Sequence, residues 1–214
     1  MRKGCTTKCR MILTQDNEYS VVLDACVLVP MPLCDTLLRL AEEPAIYRPL
    51  WSDQILREVG DALERKLNRT PLQRDRRIRE RGKAFPEARI EIPPDMSDGI
   101  TCIPDPKDRH VVAAAICGSA QAIVTANTKH FPKACTSQYG LVCQHPDEFL
   151  IHQFHLNPEL VLQKIDLQAA AYNRDRAAVL QSLRTVVPSF VALAELGIFG
   201  TGEEQSTKDD NEGN

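Results

Sequence analysis

The sequence predicts an α/β fold: a central parallel sheet with helical crossovers, and a helical C-terminal extension. Three observations carry this. Short runs rich in Val, Leu and Ile, "VVLDACVLV", "AIYRPLW" and "QAIVTAN", have the length and composition of strands buried on both faces. Helical patterns separate them, and that alternation implies right-handed crossovers between parallel strands. Beyond residue 157 the helical patterns recur without strands. A chain of 214 residues, 43% hydrophobic and 26% charged, can build one such core.

The elements follow in order. Residues 1–18 are polar and aperiodic and are expected to form a flexible arm, with Met11 an alternative start just before the fold. "VVLDACVLV" is expected to be a central strand stopped by Pro30 and Pro32. "PLCDTLLRLAEE" places Leu33, Leu37, Leu38 and Leu40 at helical spacing, and "AIYRPLW" is a second strand. Ser52 is a candidate N-cap for "DQILREVGDALERKL", whose Ile55, Leu56, Val59, Leu63 and Leu67 form one apolar stripe. Thr70 to Lys83 should continue as helix, with Pro71 in its first turn. Residues 86–107 hold five of the chain's fourteen prolines and should be connecting loop with one or two short strands.

"DPKDRHVVAAAICGSA" opens as a helix should, with Asp105 as cap, Pro106 at the first position and Asp108 in the first turn. "QAIVTAN" is a buried strand, and "GLVCQHPDEFLIHQF" a short strand followed by a helix. Two further helices are expected in "PELVLQKIDLQAAAYN" and "RAAVLQSLRTVV", with Pro188 as a break. The apolar-poor tail from residue 201 is expected to be disordered. The expected division is therefore an arm (1–18), an α/β domain (19–150), a helical extension (151–200) and a tail (201–214).

No run approaches the roughly 18 apolar residues of a membrane span. The basic N-terminus is not followed by the apolar run of a secretory signal, so a cytoplasmic protein without membrane contact is expected. Eight cysteines without any C-x-x-C argue against a structural zinc site, and the length of the chain argues against a disulfide framework. Cys26 and Cys117 lie in apolar runs and read as buried small hydrophobes. The net charge of −3 hides a basic block: ten Lys and Arg between Arg65 and Arg89 face only Asp75, Glu80 and Glu87. Such a block reads either as a solvated helix surface or as a contact for a polyanion.

Four polar residues stand out against this frame. Asp24 interrupts an apolar strand, where a carboxylate is costly without a partner. It reads as a turn cap, a phospho-acceptor or a cation ligand. The phosphatase version of the phospho-acceptor wants an aspartate two residues on, where Cys26 stands. Glu58 lies beside the apolar stripe of its helix, as a cleft-facing carboxylate would, although an ordinary surface glutamate fits as well. Asp108 opens a helix whose dipole favours a carboxylate, and His110 in the same turn reads either as an aid to catalysis or as a partly exposed helix-start residue. Asn127 ends a predicted strand. In parallel sheets, sites gather at the carboxyl ends of the strands. Three carboxylates gathered there suit Mg²⁺ or Mn²⁺, hard ions that take oxygen ligands and serve phosphodiester hydrolysis.

In their order and spacing, "VVLDACVLVP", "LWSDQILREVGDAL", "DPKDRHVVAAAI" and "AIVTANTKHFP" resemble a PIN-domain nuclease, in particular the VapC-like toxin branch with a helical C-terminal extension. The resemblance covers residues 20–150. It implies a three-layer fold and an endoribonuclease that cleaves single-stranded RNA with Mg²⁺ or Mn²⁺. It also implies a cognate antitoxin as partner, and related toxins often pair as homodimers. Carried over by motif, the three acids are Asp24, Glu58 and Asp108, which would be both catalytic and metal-ligating. The fourth acidic position falls on Asn127, whose amide can offer an oxygen but no charge. Thr125 would orient the acids by hydrogen bonding, and His130 stands where a further acid is often found. A rival implication is a degenerate module that binds RNA or a protein without turnover, and a third is a DNA-directed nuclease.

Overall fold

A computed structural model of the chain describes residues 19–200. The expected arm, the expected tail, Met11, Cys5 and Cys9 lie outside the described residues. Strand β1 is Ser20–Leu23, and a single turn of helix, α1 (Ala25–Leu28), follows at once. The expected long strand is therefore half as long as "VVLDACVLV" suggests. The Asp24 side chain accepts from the Ala25 amide and starts a helix, overriding the β propensity of the valines behind it. Helix α2 (Met31–Leu40), strand β2 (Arg48–Ser52) and helix α3 (Asp53–Leu67) come next. Ser52 caps α3 as expected, its hydroxyl accepting from the Ile55 amide at 3.2 Å.

The basic stretch does not simply prolong α3. Asn68 takes a left-handed conformation (φ 48°), and Thr70 opens a separate helix, α4 (Pro71–Ala84), through a capping box with Gln73. Strand β3 (Arg89–Ile90) is the short strand expected in the proline-rich segment. Asp105 caps a 3₁₀ turn over Pro106–Asp108, which leads into α5 (Arg109–Cys117). Strand β4 (Ala122–Val124), helix α6 (Lys133–Thr136) and strand β5 (Val142–Gln144) complete the sheet region. Helices α7 (Pro146–Leu156), α8 (Pro158–Ala171), α9 (Arg176–Leu183) and α10 (Pro188–Gly200) follow, and none of the described helices is long and apolar enough to cross a membrane.

All four strand pairings are parallel, and the order is β3-β2-β1-β4-β5. The chain winds one way from β1 to β2 and β3, then returns to the other side of β1 with β4. The carboxyl ends of β1 and β4 therefore lie at the point where the winding reverses, the place at which such sheets open a crevice. Helix α5 packs against β1, β2 and β4, and its Val111–Ala115 are all buried. Gly118 permits this close approach: a Cβ there would stand 2.7 Å from Leu50 Cδ1. One hydrophobic cluster runs from the strands through to α10. Helix α8 is tied to α2 by Thr36, whose hydroxyl donates to Gln168 Oε1 at 2.7 Å, and to the turn after α2 by Lys164, which donates to the Glu42 carbonyl at 2.8 Å.

Part of the basic block serves the fold. Arg77 donates to the carbonyls of Leu28 and Val29 at 3.0 Å each, and Arg81 donates to Leu28 at 3.2 Å. These two guanidiniums satisfy the C-terminal carbonyls that the short α1 leaves open. Arg81 is 5% exposed and sits 5.9 Å from the centre of the Trp51 ring, with its Nε and Nη1 unpaired among the described residues. Arg81→Ala would strip the carbonyl of a partner and leave a void beside Trp51. It is expected to cost about 3 kcal/mol in urea unfolding, and a loss below about 0.5 kcal/mol would contradict this anchoring role.

Candidate functional site

Asp24 stands where β1 parts from β4. Its amide donates to the Val124 carbonyl at 3.1 Å, the last rung of the ladder, and its side chain is turned toward β4. The buried hydroxyl of Thr125, directly after β4, donates to Asp24 Oδ2 at 2.6 Å and accepts from the Asn127 amide at 3.1 Å. Oδ1 accepts from the Ala25 amide at 2.6 Å. With 9% exposure, this carboxyl group has one hydroxyl and one amide to offset what burial removes. Cys26 completes the cluster: its thiol donates to Asp24 Oδ2 at 3.0 Å, and its sulfur accepts from the Ala126 amide at 3.2 Å.

Cys26 is thus not the buried small hydrophobe expected from its apolar neighbours. It is half-buried and hydrogen-bonded, and burial together with the Asp24 charge pushes its thiol up to about 12. Cys117, also expected inside, is exposed at the end of α5. His110 departs from expectation in the opposite direction: it is 3% exposed, and its Nε2 meets Glu58 Oε1 at 2.9 Å. Glu58 is thereby held from α3 against the first turn of α5. The imidazole Nδ1 of His110 has no partner among the described residues.

Asp108 lies at the end of the 3₁₀ turn before α5, and His130 Nδ1 is 2.9 Å from its Oδ2. Burial raises the Asp108 pKa, the His130 contact opposes that, and the charges of Asp105 and Asp24 add to the rise. Asp24 and Asp108 therefore feel one another across the crevice. Asn127 is exposed at the start of a 3₁₀ turn and makes no side-chain cap. Among the described residues, no three His, Cys, Asp or Glu side chains stand close enough to enclose an ion. The structure thus brings Asp24, Thr125 and Asn127 together, sets Asp108 within electrostatic reach, and holds Glu58 apart on His110. Repelling carboxylates with amide and hydroxyl oxygens nearby suit a hard cation such as Mg²⁺ or Mn²⁺, which would relieve the rise at Asp108.

Among the described residues one disulfide, between Cys102 and Cys135, forms, while Cys26, Cys34, Cys117 and Cys143 stay free, short of the framework that the length of the chain argued against. It spans 33 residues, and its loop contains Asp108, Thr125, Asn127 and His130. The segment after β3 that carries Asp108, Thr125, Asn127 and His130 is therefore closed covalently on itself.

The sequence profile of the PIN domain matches residues 20–129, a span from β1 to the turn that carries Asn127. The chain belongs to the PIN-domain family. A Mycobacterium tuberculosis protein named as a candidate ribonuclease, VapC50, is 40% identical over 91 residues, which make up 41% of this chain and 54% of that protein. The chain thus spans about half the length of the curated relative it matches. The parallel five-stranded sheet flanked by helices is the fold expected of a PIN domain, with helices α7–α10 following it.

In this PIN domain the raised Asp108 has a measurable consequence. A carboxyl whose folded pKa exceeds its unfolded value binds more protons in the folded state between the two values. Its contribution to stability is full below the unfolded pKa and declines as pH rises through the folded one. Asp108→Asn in the presence of a chelator should therefore unfold at higher urea than the parent at pH 7. The gap should close below about pH 4, near the ordinary carboxyl pKa. A less stable variant at pH 7 would contradict the raised pKa.

Proposed function

We propose that the chain is a Mg²⁺- or Mn²⁺-dependent endoribonuclease, the toxin of a VapBC-type pair that acts in the cytoplasm and is held in check by a cognate antitoxin. The observation that carries this reading is the Thr125–Asp24 hydrogen bond at the reversal point of a PIN-domain sheet, with the charge of Asp24 adding to the raised pKa of Asp108. The resemblance to VapC50 supports the choice of RNA and of the antitoxin class.

Asp24 and Asp108 would hold the ion, with Glu58 joining through an ordered water or by leaving His110. The ion would supply an activated water and would neutralise charge on the phosphodiester. Thr125 keeps the Asp24 carboxyl oriented toward the crevice by its 2.6 Å hydrogen bond. The Asn127 amide oxygen would orient substrate or solvent without adding charge. His130 fixes Asp108 and would give up that contact when a cation arrives. Glu58, drawn from a different helix, would align the scissile phosphate through the same water network. A homodimer would fit this reading without being required by it.

A second reading, a PIN module that binds without turnover, is favoured by one specific arrangement. Asn127 stands where a fourth acid belongs, and both Glu58 and Asp108 are engaged by histidines. Cleavage of a single-stranded RNA in Mg²⁺ or Mn²⁺ separates the two. Asp24→Asn should lower the rate at least about 10³-fold while leaving the unfolding transition cooperative. Asn127→Asp should lower the metal concentration needed for half-maximal rate. Equal cleavage by the parent and Asp24→Asn proteins would sink the nuclease reading, and no cleavage by either protein would leave the binding module in its place.

A further inference from the structure

The basic block divides into two functional halves once α4 is placed. On a helix, residues at i, i+3, i+4 and i+7 share a face. Arg74, Arg77, Ile78 and Arg81 form the inward face of α4. Arg77 and Arg81 are spent on the α1 carbonyls, and Arg74 on Glu64 at 2.6 Å and Asp75 at 2.8 Å. The opposite face presents Arg76, Arg79 and Lys83 at i, i+3 and i+7, all exposed, in a row on the order of 10 Å long at 1.5 Å per residue. Lys83 has a surface contact with Glu80 at 3.1 Å. Among the described residues, Arg76 and Arg79 make no side-chain hydrogen bond or ion pair, and neither do the neighbouring Lys66 and Arg69.

The groove beside this helix cannot capture a polyanion by itself. A cavity of about 730 Å³ runs between α3 and α4 and includes Glu58 in its lining. Its Arg57, Arg74 and Arg89 are outnumbered by Asp53, Glu58, Asp61 and Asp75, and Arg89 is already bound to Asp53 at 2.6 Å. The candidate site itself adds Asp24 and Asp108, and the charge of Asp105 acts on Asp108. A carboxylate-lined site repels the phosphates it must handle, so attraction has to come from outside the rim. The outer face of α4 is such a rim, because the inner side of the same helix supplies Arg74 and Ile78 to the groove wall.

We infer that the Arg76–Arg79–Lys83 face of α4, extended by Lys66 and Arg69, is a phosphate-binding track that captures single-stranded RNA and leads it over the groove rim toward Glu58. The inference rests on the ribonuclease reading for its polymer and for its direction. Helix α4 has no aromatic residue on which bases could stack, so the track contacts the backbone and is indifferent to sequence. Its rigidity comes from the buried face: Arg77 and Arg81 fasten the helix to the end of α1, which Asp24 caps at its start.

The test measures binding of a fluorescently labelled single-stranded RNA of about 20 nucleotides by anisotropy, in chelator, on the full chain carrying Asp24→Asn. Adding Arg76→Glu, Arg79→Glu and Lys83→Glu should weaken binding at least about tenfold near physiological salt. It should also reduce the slope of log affinity against log salt by about 2, since each single-strand phosphate contact contributes about 0.7. The triple Gln variant, a smaller perturbation of the helix, should show the same loss of slope with an unchanged far-ultraviolet circular dichroism spectrum. Uridine-only and mixed-sequence RNA should bind alike. Unchanged affinity and slope in both triple variants would overturn the track, as would their losing an acidic protein ligand while keeping RNA. A chain with intact Asp24 that binds RNA with the full salt slope yet never cuts it would end the nuclease reading and leave the track standing.

Discussion

The hydrogen bond from Thr125 to Asp24 is the constraint on which the site depends. It joins the first residue after β1 to the first residue after β4, the two central strands that diverge at the reversal of the winding. Without it, a carboxyl group with 9% exposure would face the end of an apolar sheet with only the Ala25 amide and the Cys26 thiol as partners. A charge-assisted bond of this kind contributes about 1.5–3 kcal/mol, enough to fix one rotamer but small beside the cost of burying a bare carboxylate. The sheet thus positions the group, and the hydroxyl determines which way it faces.

Around that pair the chain arranges an excess of acid and restrains it with histidine. His110 holds Glu58 and His130 holds Asp108, each at 2.9 Å, from the two ends of a segment that the Cys102–Cys135 bridge closes. Both imidazoles contact acids that the proposed divalent cation would otherwise engage. This explains how a site rich in carboxylates can be held together without preassembling a metal cage among the described residues. The arginines follow the same economy. Those on the inner face of α4 serve the fold, and those on its outer face remain available to a polyanion.

Much of this was legible in the sequence. The strand–helix alternation, the Ser52 and Asp105 caps and the four motifs placed Asp24 at a strand, Glu58 on the helix after the second strand and Asp108 at the start of a later helix. The length of the first strand was not legible, because "ACVLV" has strand composition and only the tertiary setting of Asp24 turns it into a helix. Burial of His110 was hidden for a related reason: its partner Glu58 lies 52 residues away on another helix, and no local pattern reports that distance. Cys26 reads as apolar because its neighbours are, yet its sulfur is fixed by Ala126 across the sheet. The division of labour within the basic block was also invisible in a charge count, since it depends on the phase of α4 relative to α1.

The central claim is that Asp24 and Asp108 share one divalent cation. It is tested most directly by titrating Mn²⁺ into the full chain and following free Mn²⁺ by electron paramagnetic resonance. The account predicts saturable binding that Asp24→Asn and Asp108→Asn each weaken, and that the double variant weakens little further, because both remove ligands from the same ion. Mn²⁺ binding unaffected by either substitution would contradict it.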